Sequence, residues 1–137
     1  MSTTVETPDP SDIVAIQHLL VRFLWAADEG PPGEVAACFA DDGEWRLGEA
    51  ILSGPADIAA MIANMRAKGV AGPGSGARHL GSNVLVEVSG DTATARSCFT
   101  FVGQSEAGPV IRAVGSYHDT LIRKADGWRI LQRTIGA

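Results

Sequence analysis

From Ile13, apolar residues recur at helical spacing at Ile13, Ile16, Leu20, Phe23, Leu24 and Ala27, with Val14 and Val21 widening the stripe. That three-to-four spacing predicts an amphipathic helix over about residues 11–28. Ser11-Asp12 offers a polar N-cap, and Gly30-Pro31-Pro32 stops the helix. Asp28 then sits in the last turn, at the edge of the stripe, where the helix dipole favours a cation over a carboxylate. Gly33–Phe39 predicts a short second helix, and Ala40-Asp41-Asp42-Gly43 a turn. Glu44–Leu47 follows as a short strand with Trp45 and Leu47 on one face. Gly48-Glu49 turns the chain into Ala50–Ser53. Gly54-Pro55 opens a third helix, with proline in the first turn where its missing N–H does no harm. Ile58, Met61, Ile62 and Met65 give that helix a buried face, and it ends near Lys68-Gly69.

After the glycine-rich stretch at 72–76 the period changes from helical to alternating. Residues 78–89 and 92–103 predict two long strands paired through Ser89-Gly90-Asp91. Residues 109–124 predict a third strand. The turn Lys124-Ala125-Asp126-Gly127 leads to a last strand from Trp128 to Ile135. Helices first and long strands afterwards describe an α+β fold: a curved, mixed but mostly antiparallel sheet wrapped around the long first helix, with two further helices. Such a sheet makes a cone-shaped barrel with an apolar interior open at one end. Neither a repeat nor a linker divides the chain. We expect one domain over residues 11–137 behind a short disordered lead-in at 1–10.

Composition narrows the function. The chain has 137 residues, 45% of them hydrophobic and 20% charged, with a net charge of −5. The 11 Lys and Arg residues are scattered, which argues against nucleic acid, because phosphate binding needs a clustered basic surface. No apolar run approaches the ~20 residues needed to span a bilayer. The polar, acidic N-terminus lacks the basic start of a signal peptide, so the expected location is cytoplasmic. Cys38 and Cys98 have neither metal nor redox spacing. Phosphate-loop, HExxH and GxSxG motifs are absent from the sequence.

Four stretches carry a resemblance as a set: FLWAADEG at 23–30, CFADDGEW at 38–45, ARHLGSN at 77–83 and GSYHDTLIRKADGWRILQR at 115–133. Their order and spacing resemble the SnoaL-like family of the NTF2-like superfamily. That branch includes polyketide cyclases, scytalone dehydratase and hexachlorocyclohexane dehydrochlorinase. The resemblance implies a cone-shaped α+β barrel with a deep pocket for a small or mid-sized hydrophobic molecule, worked on without metal or organic cofactor. It also implies chemistry that begins by removing a proton from carbon. From the dehydrochlorinase it implies a dyad of Asp28, ending the first helix, and His79, opening the first long strand. By the same match Trp45, Tyr117 and Arg133 are expected in the pocket. Phe23 stands where the dehydrochlorinase has a lysine that handles the leaving group, which argues against halide elimination.

The residues suit that chemistry. A neutral histidine can accept a proton near neutral pH. A carboxylate on its far nitrogen fixes the tautomer and stabilises the imidazolium as it forms. We therefore expect His79 as general base and Asp28 as its orienting partner. Tyr117 and Arg133 are candidates to meet the negative charge of an enolate. Phe23, Leu24, Trp45 and Phe99 are expected to form the water-excluding wall. Asp119 shares the strand parity of Tyr117 and ranks as a second, lesser acid. Dehydration, elimination, isomerisation and aldol-type cyclisation all remain open, as does a non-catalytic small-molecule-binding or dimerisation domain. Apolar residues on both faces of 109–124 predict a homo-oligomer, dimer or trimer.

Overall fold

The computed structural model describes residues 8–136. Most of the lead-in expected at 1–10 lies outside the described residues, and Pro10 already begins the first helix. Helix α1 spans Pro10–Glu29. Its N-cap is Asp9 and not Ser11-Asp12: the Asp9 carboxylate accepts from the Ser11 N–H at 2.9 Å, and proline takes the first helical position. Asp12 is thereby released for tertiary contacts. It receives Arg123 at 2.7 and 2.8 Å and the Trp128 indole N–H at 3.2 Å. The buried stripe of α1 is Ile16, Leu19, Leu20, Phe23, Ala26, Ala27 and Asp28. It widens toward Leu19 and Ala26, leaving Val14 and Val21 exposed.

Helix α2 is only Pro32–Ala36, because the chain is already extended at Phe39. Strand β1 runs Phe39–Leu47, through the segment expected to turn. Ala40-Asp41-Asp42-Gly43 is absorbed as an irregularity between Phe39 and Glu44 in the parallel pairing with the last strand. A side chain at Gly43 would meet the carbonyl oxygens of Ala40 and Ile130 at 2.8 and 3.0 Å. Glycine is therefore needed there for the close approach of two backbones.

Strand β2 is Ala50–Ser53 and helix α3 is Gly54–Ala67. The four long strands follow: β3 Arg78–Ser89, β4 Thr92–Ser105, β5 Gly108–Lys124 and β6 Gly127–Gly136. Together the six strands form one sheet in the order β2-β1-β6-β5-β4-β3. Among the described residues only β1 and β6 pair in parallel. The edge strands β2 and β3 do not pair with each other, so the expected barrel stays open. β3 carries a bulge between Ser82 and Leu85. Asn83 sits there with φ of 56°, a conformation that asparagine tolerates better than most residues.

Phe23 of α1 is the hub of the interior. Its ring meets Phe39, Trp45 and Tyr117 edge-on, with centroids 6.2, 5.3 and 6.0 Å away. One helix thus carries both the aromatic core and, further along its last turns, Asp28. Among the described residues no helix is long and apolar enough to cross a membrane.

Candidate active site

Asp28 and His79 are 51 positions apart in sequence and in direct contact. The final turn of α1 delivers the carboxylate to the first residues of β3. The backbone N–H of His79 donates to both Asp28 oxygens, at 3.2 and 2.9 Å. The ring Nδ1 lies 2.7 Å from Oδ1. An ionised carboxylate only accepts, so Nδ1 carries the proton and a neutral ring keeps its lone pair on Nε2. Asp28 is buried and His79 half-buried. The seam is doubled on the outside, where Arg78 pairs with Glu29 at 3.0 Å. The ring of Phe101 lies 4.5 Å, centroid to centroid, from that of His79.

Beside this pair lies a cavity of about 220 Å³. Phe23, Trp45, Phe99, Phe101 and Tyr117 line one side, with Ala113 and Ile135. Met61, Ile62, Met65 and Arg66 of α3, with Val70 and Ala71 of the following loop, line another. His79 lines it as well; Asp28 does not, and borders an outer groove with Val21, Trp25 and Leu80. The imidazole therefore stands between an apolar interior and its carboxylate. Phe99 stacks on Tyr117 at 4.8 Å. Burial pushes the Tyr117 phenol up, the nearby Arg133 charge only partly opposing it. The phenol is thus held neutral, as a potential O–H donor.

Two residues expected in the pocket are elsewhere. Leu24 faces the outer groove and a small cleft over Gly81, because the turn of α1 that aims Phe23 inward rotates Leu24 toward β3. Arg133 is fully buried but spent on a structural pair: its Nε and Nη2 donate to the two oxygens of Asp119 at 2.7 and 3.0 Å. Asp119 and Arg133 are register neighbours on β5 and β6. The guanidinium also lies against Phe23 and Tyr117, 4.2 and 3.8 Å from the ring centroids. Burial alone would lower the Arg133 pKa, but Asp119 outweighs it and the balance is a raised value. Arg133 supports the rings of the cavity from behind, and Asp119 is no second acid in it.

Arg66 is a cavity residue that the sequence reading does not single out. It lies four residues after Ile62, hence on the buried face of α3, and that position is the available signal. Its Nη2 donates to the carbonyls of Ala26 and Ala27 at 3.0 and 3.1 Å. It thereby supplies the cation that the last turn of α1 lacks. Among the described residues no cluster of three metal-type side chains is assembled.

The same architecture occurs in known structures. An Asp-to-Asn variant of Rv3472, a protein of unknown function from Mycobacterium tuberculosis, is 29% identical with a TM-score of 0.80, over 91% of this chain and 70% of that one. An NTF2-like protein with a cystatin-like fold from Novosphingobium aromaticivorans is 29% identical with a TM-score of 0.82, over 92% and 81%. Aln2 from a Streptomyces species is 27% identical with a TM-score of 0.81, over 95% and 93%. No curated protein matches significantly. The SnoaL-like domain matches residues 9–134, and the chain belongs to that family.

Proposed function

We propose that this protein is an enzyme that removes a proton from carbon with its own side chains, without an added cofactor, acting on a small hydrophobic carbonyl compound. The observation that carries the reading is the 2.7 Å contact between Asp28 and a histidine that lines an apolar cavity. His79 Nε2 takes the proton from a C–H beside a carbonyl, and the C–H electron pair moves into an enolate. Asp28 holds the ring in the required tautomer and stabilises the imidazolium. The buried phenol of Tyr117 is the donor for the enolate oxygen, and Phe23, Trp45 and Phe99 keep water out. The His79 imidazolium then returns its proton as the enolate expels a β-hydroxyl as water, is reprotonated at another carbon, or attacks a second carbonyl to give an alkoxide that takes the proton. These outcomes are dehydration, isomerisation and cyclisation.

Proton abstraction can be read without knowing the final product. A panel of cyclic ketones that includes 2-tetralone is incubated in D2O, and α-deuterium incorporation is followed by NMR. Wild type should accelerate exchange. His79→Ala and His79→Gln, each checked for folding by circular dichroism, should lose about 10²–10⁴-fold of that rate. Exchange at the wild-type rate in both folded variants would remove His79 from the mechanism.

A further inference from the structure

In a wall otherwise built of apolar and aromatic side chains, Arg66 is, among the described residues, the one permanently charged group that lines the cavity. Among the described residues no carboxylate lies within ion-pair distance of it, whereas the other arginine buried near the cavity, Arg133, has its charge paired with Asp119 through Nε and Nη2 and leaves only Nη1 without a partner. Only Nη2 is engaged, by the two helix-end carbonyls. Nε is buried without a partner beneath Gly72, and Nη1 makes no hydrogen bond to the described protein. A guanidinium has five N–H donors in a fixed fork that matches a carboxylate. A cation so placed, with most of its donors unused, favours an anionic acceptor.

We propose that Arg66 makes the cavity a site for ring compounds bearing a carboxylate. The ring lies among Phe23, Trp45, Phe99 and Phe101, and the carboxylate accepts from the unengaged Nη1 of the guanidinium, so that the acidic C–H is held at a fixed offset from His79. This rests on the cavity being the ligand site, and it adds a charge requirement that an apolar pocket alone does not impose. The protein carries a net charge of −5, so a preference for an anion cannot come from overall attraction; it must be local.

The test needs no turnover. Binding of 2-naphthoate and of its neutral isostere 2-naphthamide to the full chain is measured by calorimetry and by the NMR shifts of the His79 ring. Wild type should bind the carboxylate at least about tenfold more tightly than the amide, as expected for a charge-assisted hydrogen bond in a partly buried site. Arg66→Met should abolish that preference and keep amide binding. Arg66→Lys should retain part of it, and serves as the second variant because Arg66 also caps α1. Equal affinity of wild type for the two probes, or an unchanged preference in Arg66→Met, would overturn the anion site and leave the apolar cavity standing. Binding of neither probe, with the His79 shifts unmoved, would overturn both the anion site and the cavity as the ligand site.

Discussion

Replacing Asp119 by asparagine keeps the shape of the side chain and removes its charge, stranding the Arg133 guanidinium in the interior. Arg133 and Asp119 have side-chain exposures of 1% and 0%, so water cannot take over the lost partner. Two unit charges about 4 Å apart at an effective dielectric near 20 attract by roughly 4 kcal/mol. Breaking a buried pair from one side typically costs about 3–5 kcal/mol, since the remaining charge stays desolvated. Over 137 residues, an unfolding entropy of about 2.1 cal/mol/K per residue turns that loss into a Tm drop of roughly 10–17 °C. Urea titration with a two-state fit, beside a thermal melt, measures both. The partner experiment removes the charges together: Asp119→Leu with Arg133→Met should lose far less than the single change, and is expected near wild type. A single variant within about 1 kcal/mol of wild type would refute the stranded-charge reasoning. So would a double variant as damaged as the single one.

Other positions give independent checks. Asn83→Val forces a β-branched residue into the left-handed region at the β3 bulge and should cost about 1–2 kcal/mol, whereas Asn83→Gly should cost nothing; denaturant melts separate the two. Gly115→Ala places a methyl 2.6 Å from the Phe99 ring and 2.8 Å from the Gly136 carbonyl, so it should cost about 1–3 kcal/mol and push Phe99 into the cavity, weakening 2-naphthamide binding by calorimetry. The Asp12 carboxyl is held below its ordinary value chiefly by its hydrogen bonds from Arg123. The folded state therefore releases this proton more readily, and the contribution is fully present above the unfolded carboxylate pKa and lost as pH falls through the lower folded value. Asp12→Asn should flatten the acid limb of a Tm-against-pH curve below about pH 4. Leu80, Thr100 and Val114 are register partners across β3, β4 and β5, and Leu80 and Val114 are exposed. We propose that this outer face pairs with a second copy, so light scattering should give more than the monomer mass and Val114→Glu should lower it.

The order of elements was legible because it depends on short-range pattern. The stripe around Phe23 and the alternation after residue 77 each need only their own period. The path of β1 was not, because Asp41-Asp42-Gly43 has strong turn chemistry and the opposing information is non-local. The Cys38 carbonyl accepts from the Ile130 N–H at 2.9 Å, and the parallel partner strand lies most of a chain length away. Arg133 shows a second limit. Parity placed Asp119 and Tyr117 on one face, but not that a neighbouring strand would set a guanidinium against that carboxylate. Arg66 escapes a sequence reading for a related reason. A lone arginine at a helix end usually faces water, and the helix end it caps belongs to a segment 39–40 positions earlier.

Asp28 is conspicuous in the sequence as a carboxylate at the wrong end of a helix, and the structure explains how that placement is tolerated and what it can supply. The last-turn carbonyls of α1 and the Asp28 carboxylate are negative groups gathered in one place. Such a cluster is stable only if donors surround it, and two sets do. The His79 backbone N–H and Nδ1–H both point at Asp28, while Arg66 takes the Ala26 and Ala27 carbonyls. The His79 ring is thus one of the donors that let α1 end here, and it is the ring whose Nε2 takes the proton in the proposed mechanism. The contact that pins β3 to α1 and the contact that would stabilise the imidazolium are therefore one contact. Arg66, bound to carbonyls of the same helix end, brings the proposed anion site and the proposed base to the wall of one small cavity.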